Sequence, residues 1–379
     1  MINKEELIEQ LKETLFEKVD IQSENDRNLL AKIGEITFDS KDAKMLTYVE
    51  KEAISISVFN SIRGQGDLTS LLNDPEISEI MVNGPDQVFI ERKGQIENTD
   101  IKFDSIEQLE KLIFSMVGKS DRTVNEASPI VDVRLEDGSR MNIVLRPVAI
   151  NGPVATIRKF RSKAFTLEEL IEADTLKISA AEYLKKAVKN RKNIMVSGGT
   201  GAGKTTFLNI LGGFIDEGER VITIEDSAEL KIYGIKNLVS LESRISNNEG
   251  RGKLGIRDLI KASLRMRPDR IIVGEVRGEE SLDMLQAMNT GHNGSLSTGH
   301  ANSAVDMLSR LETMVICGAD LPLEAIRRQI ASAIDIVVHI ERLKSGQRRL
   351  AEIVEIQGYL AGEYVLTDLK ELTEEDLEI

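Results

Sequence analysis

Gly198-Gly199-Thr200-Gly201-Ala202-Gly203-Lys204-Thr205-Thr206 decides the fold of this chain, because from Gly198 to Thr205 it fits the spacing G-x-x-x-x-G-K-[ST]. The apolar run Ile194-Met195-Val196 precedes it, and Phe207, Leu208, Ile210 and Leu211 follow. Strand, loop and helix in that order are the setting a phosphate-binding loop requires. Glycine lets the backbone turn so tightly that several N–H groups point at one phosphate chain, and the helix behind them adds its N-terminal partial positive charge. Gly199, Thr200, Gly201, Ala202 and Gly203 then line the phosphates of a bound nucleotide. Lys204 reaches the β- and γ-phosphate oxygens, and the Thr205 hydroxyl takes one position on Mg2+. Thr206 joins the binding stretch by position and continues the helix.

Around this loop, 379 residues imply two or three domains, each with an ample core. With 30% charged and 41% hydrophobic residues the composition is that of a globular protein. No apolar run reaches the length of a membrane span, and the acidic start Met1-Ile2-Asn3-Lys4-Glu5-Glu6 is no signal peptide, so a cytoplasmic location is expected. Cys317, the single cysteine, sits beside Met314-Val315-Ile316 and is expected to be a buried, inert thiol. One cysteine and three histidines argue against a Cys/His metal site. A net charge of -14 with no Trp and 4% aromatic residues argues against a general grip on nucleic acid.

The chain divides by pattern. Residues 1 to 60 read as a helical bundle, with Leu7, Ile8, Leu11 and Leu15 at helical spacing. It serves either as a packing element or as a docking module. Residues 68 to 160 read as a smaller α+β domain. Ile80 and Val82, the turn Asn83-Gly84-Pro85-Asp86 and Val88-Phe89-Ile90 form a hairpin that runs to Lys93-Gly94, and Ile106, Leu109, Leu112, Ile113 and Val117 form a helical stripe.

A second hairpin turns at Asp137-Gly138-Ser139. Its alternation sets Leu135 against Met141 and Val133 against Ile143, which leaves Arg134 and Arg140 together on the opposite face. That face is either anion-facing or, with Glu136 opposite Arg140, a plain surface pair. Residues 161 to 178 form a linker that begins with the basic Arg161-Ser162-Lys163. Thr166-x-x-Glu169 and Ser179-x-x-Glu182 both read as capping boxes.

From 179 to 379 strands alternate with helices, the pattern of a parallel sheet covered on both faces, closed by a hairpin at Lys344-Ser345-Gly346 and an acidic, solvated C-terminus. Ligands of such sheets bind at the carboxyl ends of the strands. The carboxylates expected there are Glu225 with Asp226, Glu229 and Glu275, and hydrolysis of ATP needs carboxylates to hold the metal through its waters and to orient the attacking water. A strand-end carboxylate can instead cap the next helix. His292 and His300 flank the strand at Ser297, either as a polar site or as satisfied core histidines.

Thr223-Ile224-Glu225-Asp226-Ser227-Ala228-Glu229, then Arg265-Met266-Arg267-Pro268-Asp269-Arg270-Ile271-Ile272-Val273-Gly274-Glu275-Val276-Arg277-Gly278, then the histidine segment Thr290 to Asn302 resemble the aspartate box, atypical Walker B and histidine box of the secretion-superfamily ATPases. Ile80-Met81-Val82-Asn83-Gly84-Pro85, Val131-Asp132-Val133-Arg134, Asp137-Gly138-Ser139-Arg140 and Ile157-Arg158-Lys159-Phe160 look like the CpaF-type ATPase of the Tad/Flp (tight-adherence) pilus. The resemblance spans roughly residues 68 to 357.

It implies an α/β fold with a RecA-like P-loop domain preceded by a smaller, PAS-like α+β domain, a ring-shaped homohexamer in the cytoplasm at the inner face of the cell membrane, and docking on inner-membrane pilus platform proteins with no nucleic-acid partner. ATP and Mg2+ are the implied ligands. Lys204, Glu229, Glu275, His300 and Arg158 form the implied catalytic set, with Thr205 and Glu275 at the metal. Arg134, Arg140 and Arg158 are expected at the γ-phosphate, Glu225 and His292 in the nucleotide set, and Arg277 at a subunit boundary. Glu229 is the candidate for polarising the attacking water; how it shares that work with Glu275 stays open. Gly299 departs from the family, which carries an apolar β-branched residue before the histidine. The competing classes are a type II or IV secretion ATPase, a nucleic-acid translocase, a signalling GTPase, for which the Asn-Lys-x-Asp segment is missing, and a non-hydrolysing scaffold.

Overall fold

The computed structural model describes residues 4–19, 24, 26–63, 68–120, 122–160, 165–244 and 252–369. Met1-Ile2-Asn3, the basic Arg161-Ser162-Lys163 and the acidic C-terminus from 370 onward lie outside them. Two units divide the chain, Met1–Arg161 and Ser162–Ile379. Among the described residues no helix is long and apolar enough to cross a membrane.

The first unit starts with helices α1 (Lys4–Lys18), α2 (Asp26–Asp39) and α3 (Tyr48–Arg63). Their stripes close a small core of Leu7, Leu11 and Leu15 with Leu29, Ile33, Ile54 and Val58. A short helix, α4 (Thr69–Asn73), precedes β1 (Ile77–Asn83), β2 (Val88–Arg92) and β3 (Gln95–Asn98), followed by α5 (Ile106–Val117), β4 (Ile130–Arg134), β5 (Arg140–Val144) and β6 (Val154–Arg158). The six strands form an antiparallel sheet in the order β3-β2-β1-β6-β5-β4. Alternate residues such as Ile80, Val82, Met141, Ile143 and Ile157 bury against Leu109, Ile113 and Val117 of α5. Lys93 and Gly94, both left-handed with φ of 49° and 81°, make the two-residue turn between β2 and β3.

The register of the second hairpin differs from the expected one. Val133 opposes Met141, Val131 opposes Ile143, and Arg134 directly opposes Arg140. Asp137 takes the loop out of the ladder, because Ser139 donates to it from both N and Oγ at 2.9 and 2.8 Å. Gly138, at φ 87°, lies against the ring of Phe160. A slip of two residues keeps every side chain on its face, so the arginines still share one. Glu136 falls outside the ladder and pairs with Lys119 at 3.8 Å instead of with Arg140.

The second unit runs through α6 (Leu167–Glu172), α7 (Ile178–Lys189), β7 (Ile194–Gly198), α8 (Lys204–Gly212), β8 (Arg220–Glu225), β9 (Asn237–Glu242), α9 (Ile256–Ser263) and β10 (Arg270–Val273). It continues with α10 (Glu280–Asn289), β11 (Leu296–Gly299), α11 (Ala304–Gly318), α12 (Leu323–Ala333), β12 (Ile336–Arg342), β13 (Arg348–Leu360) and β14 (Glu363–Asp368). The sheet order is β14-β13-β12-β7-β11-β10-β8-β9, parallel from β12 to β9, with β13 and β14 added antiparallel. Because helices cover both faces, β7 and β10 are apolar and buried nearly throughout, and each face carries its own core.

Thr166 and Glu169 form the expected capping box, with both reciprocal bonds present. Ser179 and Glu182 do not: α7 begins at Ile178 with Lys177 as an N-cap lacking a side-chain bond. Burial of Leu176, Ala180 and Ala181 carries the chain into the helix before Ser179. Cys317 is exposed rather than buried. The helical period that turns Leu311, Met314 and Val315 of α11 inward turns Ile316 and Cys317 outward.

Candidate nucleotide-binding site

The phosphate loop leaves the carboxyl end of β7 and enters α8 without an intervening residue, since Gly203 is the N-cap and Lys204 the first helical residue. Gly201 and Gly203 take φ of 69° and 95°, which the left-handed region reserves for glycine. Gly198 is glycine for a different reason: a Cβ there would strike the carbonyl oxygen of Ile340 on the neighbouring β12. Thr205 and Thr206 stand half-buried in the first turn of α8, and Ala202 is buried beneath the loop. Lys204 Nζ donates to the carbonyls of Gly198 and Gly199, each at 3.0 Å, and lies 3.3 Å from His300 Nδ1.

Parallel strands bring the other candidates to this end of the sheet. β11 lies between β7 and β10, so residues just past the ends of both strands meet beside the loop. His300 Nε2 is 2.6 Å from Glu275 Oε1, and Arg277 donates to Glu275 Oε2 from Nε and Nη2 at 2.9 and 2.5 Å. The approach of His300 lacks the direction of a hydrogen bond, so Glu275 Oε1 is buried with no hydrogen-bond partner. Burial first, and then the Lys204 ammonium, push the His300 pKa below its usual value, against the opposite pull of Glu275. Neutral imidazole therefore dominates near pH 7. Thr298 fixes the segment that carries Glu275, donating from Oγ1 to Gly274 O at 2.7 Å while its carbonyl accepts from Val276 N at 2.9 Å.

Glu225 has a capping task of its own. Its Oε1 accepts from the backbone N–H groups of Glu229 and Leu230 at 2.9 and 3.0 Å, which ties the segment after β8 back to the strand's end. A Cβ on Gly274 would lie 2.8 Å from Glu225 Cγ. Gly274→Ala is thus expected to displace Glu225 and release Glu229, with about 1–3 kcal/mol of destabilisation and a larger loss of turnover than of nucleotide affinity. Thermal melts together with ATP turnover and binding measurements check this; unchanged turnover would contradict the cap.

His292 is not part of this cluster. It precedes β11, at the amino end of the sheet, with Nδ1 3.2 Å from Ala287 O and its carbonyl accepting from Ser295 Oγ. On the first unit, Arg134, Arg140 and Arg158 form a row across β4, β5 and β6, each directly opposite the next. Arg134 and Arg158 are exposed and Arg140 is half-buried.

Sequence reading passed over a polar line under the loop, buried at Ser197 and His339. Ser197 Oγ lies 2.8 Å from Nδ1 of His339, and Glu352, opposite His339 on β13, accepts from Ala304 N at 2.8 Å. A serine after Ile194-Met195-Val196 and a histidine between Val338 and Ile340 were the available signals, since a polar side chain in an apolar strand needs a partner.

The donor set fits a magnesium nucleotide. Among the described residues no cluster of three or more His, Cys, Asp and Glu could cage a metal alone. The Thr205 hydroxyl and the buried, unpartnered Glu275 Oε1 suit an ion that takes its remaining oxygens from phosphates and water.

A family model described as type II/IV secretion system protein matches residues 62–361. A putative conjugal transfer protein of Mycobacterium tuberculosis is 36% identical over 298 residues, 77% of this chain and 84% of that protein. The conjugal transfer protein TrbB of Rhizobium radiobacter is 33% identical over 297 residues, 77% of this chain and 88% of TrbB. Among solved structures, the ATPase DotB of Legionella pneumophila superposes with a TM-score of 0.55 at 20% identity, over 75% of this chain and 78% of DotB, a likeness of fold.

Proposed function

Because the chain belongs to the type II/IV secretion system protein family, we propose that it is a motor ATPase that hydrolyses ATP with Mg2+ to drive assembly of a Tad/Flp-type pilus. It works as a cytoplasmic homohexamer docked on inner-membrane platform proteins. The observation that carries the hydrolytic reading is the meeting of Lys204, His300 and Glu275 beside a glycine loop at one end of the parallel sheet. The pilus reading rests on the motifs from Ile80 to Phe160.

In this reading the loop N–H groups and the α8 N-terminus bind the phosphates. Lys204 moves its ammonium from the carbonyls of Gly198 and Gly199 to the β- and γ-phosphate oxygens. Thr205 and Glu275 hold Mg2+, which when bound neutralises charge that develops on the phosphate oxygens. Glu229, held by Glu225, and Glu275 orient the attacking water, and neutral His300 stands between Lys204 and Glu275 without adding charge to either. Arg277, anchored to Glu275, serves at the subunit boundary. Arg134, Arg140 and Arg158 keep the γ-phosphate role that the resemblance gives them.

The description of the family favours a second reading, a type II or IV secretion ATPase, which differs in what the ring docks on. ATP turnover of the purified chain with Mg2+, followed against protein concentration with mass measured alongside, is expected to rise as the hexamer assembles and to ignore single-stranded DNA. Turnover by the monomer, or strong DNA stimulation, refutes the motor reading. In the source cell, Lys204→Ala is expected to remove surface pili counted by electron microscopy; normal pili with a lost secreted protein support the secretion reading instead.

A further inference from the structure

The hairpin of β12 and β13 brings two arginines over the phosphate loop that no motif of the chain announces. β12 runs parallel beside β7 with Ile340 opposite Gly198, so its last residues continue alongside the loop. Arg342 on β12 and Arg348 on β13 face each other directly across the hairpin. Two residues back along each strand, Ile340 and Leu350 pack into the core that also holds Ala202, Phe207 and Leu208, so alternation puts both arginines at the rim of the loop's own face. Nη1 of Arg342 lies 3.2 Å from the position a Cβ on Gly201 would take. Arg348 donates from Nε to Gly201 O at 3.3 Å, and its Cγ is 3.8 Å from the Cβ position of Gly203. Arg342 is exposed and Arg348 half-buried.

We propose that Arg342 and Arg348 are nucleotide-contacting residues that grip the diphosphate portion of ADP and ATP from the hairpin side of the loop. This rests on the reading of the loop as a nucleotide site. The middle of such a loop cradles the α- and β-phosphates, and Gly201 and Gly203 are that middle. A guanidinium over them presents several N–H donors in a planar fork that matches phosphate oxygens. Because the phosphates concerned are common to product and substrate, the pair strengthens ADP and ATP alike. The bond from Arg348 to Gly201 O also holds the loop in shape.

The test is a titration of the full chain with fluorescent ADP and ATP in Mg2+, for the unaltered protein and for Arg342→Lys, Arg342→Ala, Arg342→Glu and Arg348→Ala. Arg342→Ala is expected to raise both dissociation constants about tenfold, the magnitude of one charge-assisted hydrogen bond. Arg342→Lys is expected to do less and Arg342→Glu more, and KM for ATP is expected to change more than kcat. The melting temperature without nucleotide reports folding, and the exposed Arg342 series stays informative even where Arg348→Ala melts early. Unchanged ADP affinity, weakening of ATP alone, or equal losses for Lys, Ala and Glu would each overturn the proposal while leaving the ATPase reading in place. If the unaltered, folded protein binds neither nucleotide, the ATPase reading falls and the arginine assignment with it.

Discussion

Glu275→Gln is expected to give a protein that still binds ATP and turns it over at least about a hundredfold more slowly, the scale on which loss of a positioned carboxylate acts. The substitution keeps the shape of the side chain and removes its charge. Lys204 and the loop glycines, which make the phosphate contacts, are untouched, so the dissociation constant for ATP should move by less than about threefold. Glu275 Oε1 is buried with no hydrogen-bond partner and Oε2 is held by Arg277, so the carboxylate is oriented before any nucleotide arrives. Glu275 is also the group that pulls the His300 pKa upward; without it that pKa falls further, and no new titration enters near pH 7. Lys204→Ala supplies the contrast, losing nucleotide binding itself. Phosphate release and fluorescent-nucleotide titration of both variants test the assignment, and equal loss of binding in the two would refute it.

The second large effect is one of stability. Arg270→Met is expected to destabilise the second unit by about 3–5 kcal/mol, the cost of breaking a buried ion pair from one side. Arg270 is fully buried, bound to both oxygens of Glu219 at 2.7 and 2.9 Å and to Val188 O at 2.7 Å. Removing it strands a carboxylate that is itself buried, and Arg191, at 2.9 Å, offsets part of the loss from a more exposed position. For a unit of this size the melting temperature should drop by roughly 10 °C. Arg270→Met with Glu219→Leu should recover a good part of it, because the pair is then replaced rather than broken. Since Arg270 opens β10, at the amino end of the sheet, nucleotide affinity at low temperature should survive in the folded protein. A double variant no more stable than the single one would show that the pair is not what matters.

Arg270 also marks the limit of local sequence order, for within the Walker B segment it is one more charged residue. Its partner is far away in the chain, and no spacing rule connects the two. The same limit explains the other misses. Thr298 with Gly274, Ser197 with His339, and the approach of the β12–β13 hairpin to Gly201 join strands and loops that become neighbours only when the sheet closes. The hairpin register depended on an Asp137 that bonds into its own loop, and the start of α7 depended on what Leu176 and Ala180 pack against.

What the sequence determined by itself was everything written in local order. The glycine loop with its flanking strand and helix, the apolar runs of a doubly covered sheet, the Thr166 capping box and the acidic residues beyond β8 and β10 all follow from backbone freedom, side-chain period and strand direction within a few residues. Only the tertiary structure decided which of those residues meet. Insertion of β11 between β7 and β10 brings His300 to Glu275 and Lys204 and leaves His292 at the other end of the sheet. Strand order is set by the burial of whole faces, a sum over many weak contacts of distant residues, and no single stretch of sequence records that sum.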